Sequence, residues 1–180
     1  MGHLYLHVPF CARRCSYCDF SIAVRKRVPA REYVDAVLRE LDWLRDPPGW
    51  VNPGAMPRGT PWDKPEPPTQ VSGADAGLET LYLGGGTPSL LPPEAIHQLL
   101  DAIREKLRIP HSAFRTDLEV TLEANPEDVT LEHAIAWRRA GVNRVSLGAQ
   151  SFDDRVLRWM HRSHDAARCI HRSKIGRAHV

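Results

Sequence analysis

The stretch LETLYLGGGTPSLLPPEAIHQLLDAIREKL, residues 78–107, decides the fold class. Leu78 to Leu83 form a short apolar-rich run bounded by glycine, the pattern of a strand. Gly84, Gly85, Gly86, Thr87 and Pro88 then interrupt any regular element. Beyond them Ile96, Leu99, Leu100, Ile103 and Leu107 fall on one face of a helix. Strand, glycine turn and helix, in that order, are one unit of an α/β protein.

The unit recurs on both sides. Upstream, Leu4 to Phe10 reads as a buried strand that runs into a cysteine-rich loop, and from Pro29 to about Arg45 the residues Val34, Val37, Leu38, Leu41 and Leu44 share a helical face. Downstream, Leu118 to Leu122 reads as a third strand leading into Glu123, with Thr130 as the N-cap of a helix that stops at Gly141. Arg144 to Leu147 is a fourth strand, ending at Gly148, Ala149 and Gln150, and Phe152, Val156, Leu157 and Met160 suggest one more helix. About four such alternations imply parallel strands, whose ligands gather at the strand carboxyl ends. The cysteines follow strand one, the glycines strand two, Glu123 strand three and Gln150 strand four. These residues are expected to converge on one site.

The chain has 180 residues, 42% hydrophobic and 26% charged, which is the composition of a globular protein rather than a membranous or disordered one. Its formal charge of +2 is too balanced to argue for nucleic acid or an anionic membrane as partner. Residues 1–10 lack the cationic start and apolar core of an export signal, and no run of about 18 apolar residues occurs. The expectation is a cytoplasmic protein without a transmembrane segment. Between Asp46 and Gly77 prolines and glycines alternate without any period, which reads as an insertion at 46–77 within one domain spanning 1–167. Residues 168–180, with Arg172, Lys174 and Arg177, show no continuing helix or strand pattern and read as a basic tail, truncated or disordered.

Cys11, Cys15 and Cys18 offer three thiolates on one short loop. Three thiolates can hold three corners of an iron–sulfur cube and leave the fourth iron open to a ligand. Arg13 and Arg14 are expected to help keep those thiols ionised. The competing reading is a structural zinc site, which needs a fourth ligand from His3, His7 or Cys169; otherwise Cys169 is a bystander. His97, His111, His133, His164 and His179 show no metal-ligand spacing and read as surface or helix-face residues. Trp43, Trp50, Trp62, Trp137 and Trp159 share no period and read as core or loop anchors.

The C-x3-C-x2-C loop with Tyr17 before its last cysteine, together with the turn from Gly84 to Pro88, resembles the radical S-adenosylmethionine (SAM) superfamily. Within it, Tyr5 to Cys11, Leu122 to Pro126 and Asn143 to Phe152 resemble the oxygen-independent coproporphyrinogen III oxidases and the related HemW-type haem chaperones, a likeness running from about Leu4 to Ala167. The resemblance implies a partial, TIM-like (β/α) barrel, with about four of six strand–helix units present. It also implies a 4Fe-4S cluster held by Cys11, Cys15 and Cys18, whose open iron chelates SAM, and whose electron cleaves SAM to methionine and a deoxyadenosyl radical. Tyr5 and Tyr17 would sit against SAM, Gly85, Gly86 and Thr87 would meet its amino group, and Glu123, Gln150 and Arg162 would hold its hydroxyls or charged groups.

The oxidases carry a further cysteine two places after the last cluster ligand, where this chain has Phe20. That favours the chaperone branch, which binds haem and delivers it to an acceptor protein, with an electron donor as a further partner. The alternatives are oxygen-independent oxidation of coproporphyrinogen III and an inactive or zinc-binding fragment. Where the family usually reads leucine, glycine, arginine, any residue, histidine, this chain has Met160 to His164, so His161 is expected to crowd the approach of Arg162.

Overall fold

A computed structural model describes residues 2–45, 78–109 and 118–177. The insertion at 46–77, His111, His179 and the last residues of the expected tail lie outside them, as do Trp50 and Trp62. In chain order the elements are β1 (Gly2–Val8), β2 (Phe10–Cys11), β3 (Ala23–Val24), α1 (Ala30–Arg45), β4 (Leu78–Gly85), a 3-10 turn (Pro88–Leu90), α2 (Pro93–Lys106), β5 (Glu119–Ala124), α3 (Leu131–Ala140), β6 (Arg144–Leu147), α4 (Asp154–Trp159) and α5 (Ala166–Arg177).

β1, β4, β5 and β6 form one sheet in that order, and every neighbouring pair is parallel. The alternation read from the sequence therefore gives the expected α/β architecture. α1 packs on α2 and α2 on α3. Their apolar stripes, including Val34, Val37, Leu41, Ile96, Leu99 and Ile103, bury against Leu6, Val8, Leu81, Leu83, Val120 and Leu122 of the sheet. Removing those side chains from water is the main favourable contribution to folding. Thr130 caps α3 by accepting the His133 N–H at 3.1 Å, and Gly141 ends it in the left-handed conformation, both as the sequence indicates.

The first strand reads from the sequence as buried, but one face of the sheet is polar. His3 pairs with Thr80 at 2.9 Å, Tyr5 stacks on Tyr82 with ring centroids 6.0 Å apart, and Tyr82 reaches Glu123. Because strand side chains alternate, a strand that buries Leu6 and Val8 on the helices must turn Tyr5 and His7 the other way. Two elements differ more sharply from expectation. Cys11 is not in a loop: Phe10 and Cys11 pair in parallel with Ala23 and Val24, so the first cysteine is strand-bound and buried. Residues from Cys169 onward, read as a tail without helical pattern, belong to α5 as far as Arg177. Cys169 is 2% exposed, and Ile175 packs against the core. Trp137 is buried, as a core anchor should be, whereas Trp43 and Trp159 are exposed. No helix among the described residues is long and apolar enough to cross a membrane.

Candidate functional site

β1 and β4 end side by side, with His7 opposite Gly84 and Val8 opposite Gly85. The chain after β1 must therefore pass the turn after β4 at close range. Gly86 donates its backbone N–H to the Val8 carbonyl at 2.7 Å. A Cβ on Gly86 would stand 2.6 Å from the Phe10 carbonyl oxygen and 3.0 Å from the Cys11 sulfur, which only glycine avoids. Gly85 has φ of 110°, and its N–H donates to a Glu123 carboxylate oxygen at 3.1 Å. The other oxygen of Glu123 accepts from the Tyr82 hydroxyl at 2.8 Å. Thr87 donates its hydroxyl to the Cys11 sulfur at 3.4 Å. The glycine turn and the cysteine segment are thus one packed structure.

A cavity of about 460 Å³ opens at these strand ends. Cys11, Cys15, Cys18 and Tyr17 form one wall, Gly85, Gly86 and Thr87 a second, and Glu123, Gln150 and Arg162 a third. All the residues singled out from the sequence therefore line it except Tyr5, which lies behind, stacked on the tyrosine that holds Glu123. A smaller cavity of about 290 Å³ beside β6 and α5 contains none of them.

Arg162 reaches the site despite His161. Its guanidinium donates to Asn125 Oδ1 at 2.6 Å and to the Gly148 carbonyl at 3.0 Å, and lies 3.6 Å from the Cys15 sulfur. The expected crowding does not occur because His161 takes φ of 55°, the left-handed backbone a glycine would adopt. That conformation costs a non-glycine residue about 1 kcal/mol. His161→Gly is accordingly expected to raise stability by about 0.5–1 kcal/mol, seen as a higher denaturant midpoint at unchanged slope; a lower midpoint would contradict this account. Gln150 has φ of 63°, and such strain concentrates where a backbone is held for function.

The electrostatics bear on the thiols: Arg14 acts to lower the Cys11 thiol, as expected of a nearby cation, but does not set the direction of its shift. Burial pushes the Cys11 thiol up from its ordinary value, and the neighbouring Cys18 and Cys15 add to the rise; the Thr87 hydrogen bond and Arg14 oppose it without reversing it. Arg14 spends its guanidinium on the Cys18 carbonyl at 3.5 Å rather than on a sulfur. His164, expected at the surface, is buried at 4% exposure.

Asn125, which holds Arg162, and Tyr82, which holds Glu123, were not singled out from the sequence. Asn125 lies inside the quoted Leu122 to Pro126 string, so a signal existed for it. Tyr82 was read only as part of an apolar strand, although period-two alternation places it on the face of Thr80.

The donor set fits an iron–sulfur cluster better than zinc. Cys11, Cys15 and Cys18 all line the cavity, three thiols of the kind that hold such a cluster, and no histidine is among its lining residues. Of the three candidate fourth zinc ligands, His3 and His7 are engaged with Thr80 and Tyr5, and Cys169 is buried in α5 and does not line the cavity. Arg162 also has a buried Nε without a partner, a donor at the cavity wall suited to a ligand carboxylate.

The chain has relatives among known proteins. The radical SAM superfamily pattern matches residues 69–172. The haem chaperone HemW of Escherichia coli (strain K12) is 38% identical over 162 residues, covering 89% of this chain and 35% of the relative. HemW of Mycobacterium tuberculosis (strain CDC 1551 / Oshkosh) is 38% identical over 165 residues, covering 92% and 35%. Among solved structures, one described as coproporphyrinogen III oxidase (HemN) from Escherichia coli, a radical SAM enzyme, superposes with a TM-score of 0.69 over 98% of this chain and 34% of that one, at 23% identity. That likeness concerns the fold. The chain spans about a third of the length of the relatives it matches.

Proposed function

Since the chain belongs to the radical SAM superfamily, we propose that it binds a 4Fe-4S cluster and SAM as part of a cytoplasmic haem chaperone. The observation that supports this reading most is the common cavity of three cysteines, a glycine turn and Arg162 at the ends of parallel strands. Cys11, Cys15 and Cys18 would hold the cluster. When bound, the cluster supplies the electron that cleaves SAM. The chain's own residues bind and orient. Gly85 and Gly86 let the ligand's amino group approach the backbone, and Thr87 fixes Cys11. Glu123, kept rigid by Tyr82 and the Gly85 N–H, and Gln150 face ribose hydroxyls, while Arg162 faces a carboxylate. Tyr17, which lines the cavity, would pack against SAM, and Tyr5 supports Glu123 through Tyr82.

Haem delivery to an acceptor protein is the better reading of the whole protein's role, because both quoted sequence relatives are haem chaperones by name and Phe20 replaces the oxidases' additional cysteine. An electron donor is the further partner this chemistry requires. The test loads the protein with haem, adds a haem-free acceptor protein and follows the absorbance change of transfer. In parallel the cluster-loaded protein receives SAM and coproporphyrinogen III without oxygen. Haem transfer without decarboxylation is expected; SAM-dependent decarboxylation without haem transfer would establish the oxidase instead.

A further inference from the structure

The positive charge of the chain is gathered at one place. Residues 12–27 carry five basic side chains, Arg13, Arg14, Arg25, Lys26 and Arg27, and one acidic, Asp19, in a chain whose formal net charge is +2. That excess is larger than the whole chain's, so the remainder is net acidic. The fold brings the two basic runs together. β2 and β3 are parallel, with Phe10 opposite Ala23 and Cys11 opposite Val24, and the pairing continues as Arg25 donates its N–H to the Cys11 carbonyl at 2.9 Å. Parallel strands leave a ladder in the same direction. Arg13 and Arg14 therefore leave β2 at the end where Arg25, Lys26 and Arg27 leave β3. All five are exposed. Arg14 and Arg25 donate only to the Cys18 and Val24 carbonyls, at 3.5 and 3.1 Å, and among the described residues none of the five pairs with a carboxylate.

This surface borders the three cysteines. Arg13 lines the cavity, and so does Phe20, which lies between the two basic runs in the chain and is nevertheless 65% exposed. Trp159, also exposed, accepts the Ser16 hydroxyl on its carbonyl at 3.3 Å and so stands against the cysteine segment. Arginines interspersed with exposed aromatic rings have the composition of an interface rather than of an ordinary solvated face.

The electron needed by the cluster has to come from another molecule, and the basic surface covers the segment that carries the cysteines. We propose that the five cations, with Phe20 among them, are the docking surface for an acidic one-electron carrier protein. This assignment rests on the cluster reading above. In the transfer one electron leaves the carrier's reduced centre, which is oxidised, and enters the cluster, which is reduced; no bond forms or breaks. Redox encounters of this kind use small contacts, in which complementary charge sets the on-rate more than the strength. Nucleic acid would be drawn by the same charge, but that would not account for the cations lying beside the cysteines.

The test mixes reduced plant-type ferredoxin, an acidic protein with one low-potential centre, with the cluster-loaded chain without oxygen and follows the absorbance of reduction. Wild type should react faster at about 20 mM salt than at about 0.3 M, where charges are screened over a few ångströms. Lys26→Glu with Arg27→Glu, at exposed positions outside the cavity lining, should react about tenfold more slowly at the lower salt and lose the salt dependence. Lys26→Gln with Arg27→Gln should fall between. Photoreduced deazariboflavin, a small uncharged reductant that needs no docking, should reduce all three alike. A wild-type rate indifferent to salt, or one that charge reversal leaves unchanged, would overturn the proposal. So would an equal loss with deazariboflavin, since the cations would then act on the cluster itself. A second readout needs no cluster: fluorescently labelled oxidised ferredoxin should bind the chain before iron is added, and the charge-reversed pair should bind it about tenfold more weakly at about 20 mM salt. If the chain takes up no cluster, the functional reading fails while this titration still decides the surface. Tighter binding of a labelled single-stranded oligonucleotide than of ferredoxin at about 0.15 M salt would assign the surface to nucleic acid and overturn the proposal.

Discussion

Cys15→Ser is expected to leave the chain folded while abolishing SAM binding and most of the iron uptake. Cys15 is half-buried on the connection between β2 and β3, outside the apolar core, and the contact its sulfur makes with Arg162 is a long one, 3.6 Å. Serine can fill that space, so circular dichroism and the unfolding midpoint should change little, within about 0.5 kcal/mol. The chemistry cannot survive the exchange. A serine hydroxyl is far harder to ionise than a thiol and is a poor ligand for iron in a sulfide cluster. Two remaining thiolates would leave two irons without a protein ligand. Iron per chain should drop from about four to one or fewer, and SAM titration should show no saturable binding. Unchanged affinity for SAM in this variant would contradict the assignment of the cysteines.

Gly86→Ala should do comparable damage by a different route. The added methyl would meet the Phe10 carbonyl oxygen at 2.6 Å and the Cys11 sulfur at 3.0 Å. Neither is the free end of a flexible side chain: Phe10 and Cys11 are paired with Ala23 and Val24, and Cys11 is further held by Thr87. The strain must be relieved by moving the cysteine segment away from the glycine turn, at a cost of about 1–3 kcal/mol. Loss of stability and loss of cluster uptake are therefore expected together, measured by denaturant unfolding and by iron analysis. An alanine variant with wild-type midpoint and a full complement of iron would show that the turn and the cysteines are not packed as described.

Much of this arrangement is legible in the sequence, for a physical reason that also explains what is not. The helices α1 and α2 announce themselves because their buried residues recur at helical spacing, and α3 because Thr130 and Gly141 mark both its ends. The convergence of the cysteines, the glycine turn, Glu123 and Gln150 follows from the rule that parallel strands present their carboxyl ends on one side. α5 was illegible because Cys169 and Ile175, six residues apart, are too few to set up an apolar stripe among its charged neighbours. The pairing of Phe10 and Cys11 with Ala23 and Val24 is two residues long on each side, shorter than any period. The resemblance puts Tyr5 against the ligand, and the register adds what the sequence does not show, that it stands opposite Tyr82 and so beside the residue that holds Glu123. His161 and His164 were misread for related reasons: the backbone angle of one and the buried partners of the other are properties of tertiary contacts, which composition and spacing do not encode.

The central claim is that three thiols, a glycine turn and Arg162 make one site for a cluster with an open iron. Anaerobic reconstitution of the chain with iron and sulfide, followed by electron paramagnetic resonance of the reduced cluster with and without SAM, tests it most directly. About four irons and four sulfides per chain, with a spectrum that shifts when SAM is added, is the predicted result. A chain that takes up zinc without sulfide, or a cluster whose spectrum is indifferent to SAM, would contradict it.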